Sequence, residues 1–65
     1  MNESFVVLAY YQDKEYGEVE ESVERAKFRL EEWMEHDVEL DEMQVLYIKN
    51  HQLSRYTARD FLAEF

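Results

Sequence analysis

The sequence predicts a small α+β domain: a sheet of two to three strands packed on one long amphipathic helix and a C-terminal helix. Three observations carry this. An unbroken β-branched, aliphatic and aromatic run opens the chain at Phe5–Tyr11. A helical apolar stripe follows at Val19, Val23, Ala26, Leu30 and Trp33, spaced 4, 3, 4 and 3. A second mixed run, Met43–Ile48, and an aromatic-rich tail complete the pattern.

Residues 4–12 read as a strand, and apolar residues on both of its faces make it a central one. Asp13 to Gly17 reads as a turn, marked by charge and by the only glycine of the chain. The long helix is expected over 19–36, with Met34 beside its stripe. Ser22 is a candidate N-cap. If the helix begins there, Glu18 to Glu21 are free to pair back on the first strand as a short edge strand. If it begins at Glu18, no hairpin forms; a tight charged turn favours the hairpin. In residues 42–49, Met43, Val45 and Tyr47 alternate with Gln44, Leu46 and Ile48, which suits a strand, although a helix capped by Asp41 would also accommodate Met43, Leu46 and Tyr47. Val, Tyr and Ile together favour the strand. Residues 54–64 read as a helix capped by Ser54, with Tyr56, Ala58, Phe61, Leu62 and Phe65 as its apolar contacts.

With 65 residues the chain is read as a single acidic domain, 1–65, with no linker or repeat. A domain this small is marginally stable and needs extra support. It has no cysteine, so four Phe, five Tyr and one Trp, or self-association as a homodimer, must supply that support. The longest apolar run is too short for a bilayer, and no basic region precedes it, so a cytoplasmic protein without membrane contact is expected.

Charge limits the function classes. Sixteen acids against seven bases give a net charge of −9. Thirteen of the acids and four of the bases fall between Asp13 and Glu42, and from Leu30 to Glu42 there are seven acids with no Lys or Arg. Such a surface repels nucleic acid and attracts basic proteins, including nucleic-acid-binding clefts. The competing reading is that the acids only keep the chain soluble.

On the helix, Phe28 falls opposite the apolar stripe, with Glu21, Glu24, Glu31, Glu32 and Glu35 around it, and Asp37 and Glu39 just beyond. An apolar anchor ringed by charge is a common form of binding hot spot. These eight residues are the candidate partner-binding set. The alternative is that Phe61, Phe65 or a second chain covers Phe28.

No catalytic residue is assigned. Neither a glycine-rich elbow nor a phosphate loop occurs, and solvated carboxylates have no raised pKa to use. Glu32 and His36, four apart, are able to offer two metal ligands, with His51 or Asp37 as a third. His36 is read instead as a residue near a helix C-terminus and His51 as a turn residue, so no metal or cofactor is expected. The protein is read as a binder rather than an enzyme.

Size and the acids from Glu18 to Glu42 make the chain resemble the small acidic inhibitors of phages and other mobile elements: anti-CRISPR, anti-restriction and glycosylase-inhibitor proteins, some of which mimic DNA. The resemblance implies carboxylates standing in for phosphates in the cleft of a basic nucleic-acid-handling protein. A second resemblance, over Leu30-Glu31, His36, Leu40-Asp41, Tyr47 and His51, is to the Hha family of nucleoid-associated proteins. It implies a helical subunit that binds a partner protein, and the strand-like opening departs from it.

Overall fold

A computed structural model describes residues 3–65. Four antiparallel strands form one sheet: β1 (Glu3–Tyr11), β2 (Lys14–Glu20), β3 (Met43–Lys49) and β4 (Gln52–Thr57). Their order is β2-β1-β3-β4, so β1 is central as its sequence predicts. Helix α1 (Val23–Glu35) links β2 to β3 through a short 3-10 turn at Leu40–Glu42, and α2 (Ala58–Glu64) ends the chain.

This corrects the predicted architecture. The sheet has four strands rather than two to three, and both helices are short. The errors have local causes. The β1–β2 turn is not at Gly17 but at Gln12-Asp13, both with positive φ (52° and 64°), the left-handed pair that a two-residue hairpin needs. Gly17 instead lies within β2, opposite Leu8, where an added Cβ would come to 3.1 Å from the Leu8 Cδ2. The edge strand therefore runs from Lys14 to Glu20, and Val19 belongs to it rather than to the helix stripe. The helix starts after Ser22, whose Oγ accepts a hydrogen bond from the Arg25 N–H at 3.1 Å.

The second correction is β4. Residues predicted as the start of the last helix form a strand, because Asn50-His51, again both at positive φ, make a second two-residue turn and fold Gln52–Thr57 back on β3. The cap of α2 is Thr57, which accepts from the Asp60 N–H at 3.0 Å, not Ser54. The Hha-like segment thus crosses a helix end, a strand and a hairpin turn, and the helical architecture implied by that resemblance is absent.

Alternation along the strands gives the sheet two unlike faces. Phe5, Val7, Ala9, Met43 and Val45 are buried on one, under Ala26 and Leu30 of α1 and Ala58 and Phe61 of α2. Phe5 stacks on Tyr47 at 4.9 Å between ring centroids, and Phe61 and Phe65 pack edge-on to that pair and to Tyr56. This aromatic cluster supplies the dense packing that a cysteine-free chain of this size requires. On the opposite face, neither helix covers Val6, Leu8, Leu46 or Ile48.

Candidate functional site

The outer surface of α1 is built by helix periodicity. Ala26 and Leu30 are fully buried, which turns Phe28 away from the sheet, and it is 58% exposed. Phe61 and Phe65, the two residues of this chain that were candidates to cover it, are engaged with Phe5, Tyr47 and Tyr56 instead. Glu24, Glu31 and Glu35 are exposed and Glu32 is half-buried; Glu21, expected on the helix, is exposed but precedes the Ser22 cap and so lies outside α1. Asp37 and Glu39 are exposed on the segment leaving the helix, where Asp37 (φ 72°) takes the left-handed position after the last turn. The N–H of Asp37 donates to the Met34 carbonyl and that of Val38 to the Trp33 carbonyl, so the helix end is closed by its own backbone.

The ion pairs decide which acids are free. Glu20 is 6% exposed, the one charged residue buried among the described residues. Its Oε2 accepts from the Arg29 Nε at 2.8 Å, and Arg25 lies 3.7 Å from its Oε1. The second branch of the Arg29 guanidinium donates to Glu32 at 2.7 Å. The hydrogen bond that Arg29 donates to Glu20, against an opposing effect of burial, holds the Arg29 pKa above its ordinary value. Lys49 pairs with Glu3 and Arg59 with Asp41. Among the described residues, Glu21, Glu24, Glu31, Glu35, Asp37 and Glu39 have no basic partner, while only Lys14, Lys27 and Arg55 remain free of acids. Fixed pairing therefore removes Glu32 in part from the candidate set and leaves the rest of the negative field uncompensated.

No family model, curated protein or solved structure matches this chain.

Among the described residues, no three His, Cys, Asp or Glu side chains gather as a metal ion would need. Glu32 and His36 lie towards the end of α1 near the start of β3, whereas His51 is in the turn after Lys49, at the other end of that strand. No helix of the described residues is long and apolar enough to cross a membrane.

The open sheet face is a feature the sequence reading missed. The register places Val19, Val6, Leu46 and Arg55 in one row, Gly17, Leu8, Gln44 and Thr57 in the next, and Ser4, Ile48 and Leu53 beyond. Val19 is 65% and Leu53 57% exposed. Arg55 and Glu15 are the charges on this face, so the charge surplus lies elsewhere. The two tight turns were the available signal, but neither contains the glycine that usually marks one.

Proposed function

We propose that this protein is a non-catalytic binding protein that lays the acidic outer face of α1 on a basic, nucleic-acid-handling protein and blocks it, in the manner of anti-CRISPR and anti-restriction inhibitors that imitate DNA. One observation carries the reading: Phe28, exposed on a face of α1 whose carboxylates Glu24, Glu31 and Glu35 have no cationic partner. An exposed Phe contributes nothing to solubility, so charge repulsion alone does not account for its position. In contact with a partner it gives an apolar centre inside a charged rim, the arrangement that concentrates binding energy. The carboxylates supply attraction and orientation for a basic cleft.

The test is affinity capture from host lysate with elution by salt, followed by measurement of DNA or RNA binding by the captured protein. Phe28→Ala should weaken that complex by about 2 kcal/mol or roughly thirtyfold, the scale of a hot-spot residue. Its effect on stability should lie within about 0.5 kcal/mol, as for other surface changes. A complex indifferent both to this change and to Glu24→Gln, Glu31→Gln and Glu35→Gln combined would remove the proposal.

A second reading, an interaction subunit or homodimer that pairs through its sheet, is favoured by the open face. It carries Val6, Leu8, Val19, Leu46, Ile48 and Leu53 with little charge. Sedimentation of the wild type beside Leu46→Lys discriminates: this reading requires a wild-type dimer that the substitution dissociates.

A further inference from the structure

The C-terminal end of α1 does not close flush on the sheet. Ala9 and Tyr11 of β1, Tyr16 of β2, and Trp33, His36 and Val38 at the end of the helix enclose a cleft of about 280 Å³. Its shape follows from the chain. Ala9 is the smallest side chain on the covered face of β1 and leaves space under the helix. Val38 is drawn in by the backbone closure of the helix end, which sets it beside Trp33. Tyr16 stands opposite Ala9 on the edge strand and is 44% exposed, so one wall is open to solvent. The stacked and edge-on ring pairs of the described residues involve Phe5, Tyr47, Tyr56, Phe61 and Phe65, and Tyr11, Tyr16 and Trp33 take part in none of them.

The charge around this cleft selects its occupant. The last turn of α1 carries no basic residue, and a helix C-terminus presents partial negative charge. Asp37 follows directly. On β2, Glu18 and Lys14 flank Tyr16 on the same face of the strand, two residues to either side. Arg29, one turn before Trp33, is already held by Glu20 and Glu32, and the field of Glu18 also reaches it. The unpaired basic groups here are Lys14 on β2 and the His36 imidazole in the wall of the cleft, set against Glu18, Asp37 and the helix end. An open recess with three aromatic side chains in a negative field suits a flat cation: the ring faces attract it, and its stem lies against the apolar walls.

We propose that this cleft receives an arginine side chain of the basic partner. The identity of the partner rests on the function proposed above; the chemistry of the cleft does not. Arginine is favoured over lysine because its planar guanidinium stacks on rings and is the more weakly hydrated cation.

Trp33 is the only tryptophan, so its fluorescence and its indole N–H resonance read the cleft directly. The full chain is titrated with N-acetyl-arginine amide, with the isosteric neutral N-acetyl-citrulline amide, and with indole. The arginine amide should shift the resonances of Trp33, Tyr11 and Tyr16 and bind about fivefold more tightly than the citrulline amide, the scale of a partly exposed cation–π contact. Tyr16→Ala, a change at an exposed edge position that leaves the core untouched, should abolish that difference, while Glu24→Gln with Glu31→Gln on the outer face of α1 should preserve it.

Equal affinity for arginine and citrulline amides, or tighter binding of indole, overturns the proposal and makes the cleft a site for neutral apolar groups. Arginine-induced shifts confined to Glu24, Phe28 and Glu31 also overturn it, yet leave the acidic-face reading standing. Conversely, a cleft that prefers arginine in a protein that captures no basic partner would refute the proposed function alone.

Discussion

Glu20 tests whether the acids of this chain divide into structural and binding groups. It is the buried acid, and Glu20→Gln keeps its shape and an acceptor oxygen while removing its charge. In the wild type, Oε2 takes a charge-assisted hydrogen bond of 2.8 Å from Arg29, with Arg25 at 3.7 Å from Oε1. The substituted amide still accepts from the charged guanidinium, so only the carboxylate's share of a hydrogen bond worth about 1.5–3 kcal/mol is lost and the substitution should cost about 1–2 kcal/mol. The cost stays below the ~3–5 kcal/mol of a fully stranded buried charge, because Arg29 keeps Glu32 and is itself partly exposed. For 65 residues the total stability is about 3–10 kcal/mol, so the loss is a large share of it. Thermal unfolding followed by circular dichroism should show a midpoint lowered by about 5–15 °C. Glu31→Gln, at an exposed and unpaired position, should not lower the midpoint. If Glu20→Gln unfolds at the wild-type temperature, the Glu20–Arg29 pair is not a structural contact and Glu20 belongs with the binding acids.

Burial, reinforced by donation of the hydroxyl to Glu3 at 3.1 Å, raises the Tyr47 pKa above its usual value. The folded state therefore holds this proton more tightly than the unfolded chain, so the associated stability is complete below about pH 10 and is lost as pH rises through the folded-state value. Urea unfolding across alkaline pH should accordingly show a shallower decline for Tyr47→Phe than for the wild type; parallel declines would contradict the assignment. Salt should act with opposite signs on fold and complex: screening relieves repulsion among unpaired carboxylates and raises the unfolding midpoint, while it weakens attraction to a basic partner. A complex equally tight at low and high salt would leave the acids with a solubility role only.

The legible parts of the fold were those set by a single residue pattern. The β1 run and the Ala26–Leu30 core stripe needed nothing beyond side-chain periodicity, and Ser22 marked the start of the helix. The illegible parts were the hairpin turns. Gln12-Asp13 and Asn50-His51 adopt left-handed conformations without glycine, which Asn and Asp tolerate best among other residues and which strand pairing stabilises from outside the turn. Each unmarked turn displaces its neighbours: the sequence predicts a turn over Asp13–Gly17, helix at Val19 and helix from Ser54, where the chain has strand at Gly17, Val19 and Ser54–Thr57. The outward direction of Phe28 does not depend on these turns, because the phase of α1 is fixed by the burial of Ala26 and Leu30, whereas Glu21 left the helix when its start moved to Val23.

The same geometry separates what folds this protein from what it offers to others. Burial and aromatic stacking lie between the helices and one sheet face, and the buried acid, Glu20, is matched by arginines there. The unpaired carboxylates Glu24, Glu31 and Glu35 lie on the outside of α1, with Glu21 just before it and Asp37 and Glu39 just after, and the apolar residues that no helix covers lie on the far side of the sheet. A face rich in carboxylate and a face poor in charge suit different partners, and neither has to be dismantled for the other to be occupied. If the acidic face engages a basic protein while the open sheet face pairs two copies, the dimer presents two acidic faces turned outward. Such a dimer would bridge two targets or grip one at two points, with affinity gained from linkage rather than from new contacts. Substitutions on the sheet face would then lower apparent affinity for the target without touching the residues that meet it, whereas Phe28→Ala would lower it in the monomer through one site and in a two-point dimer complex through both.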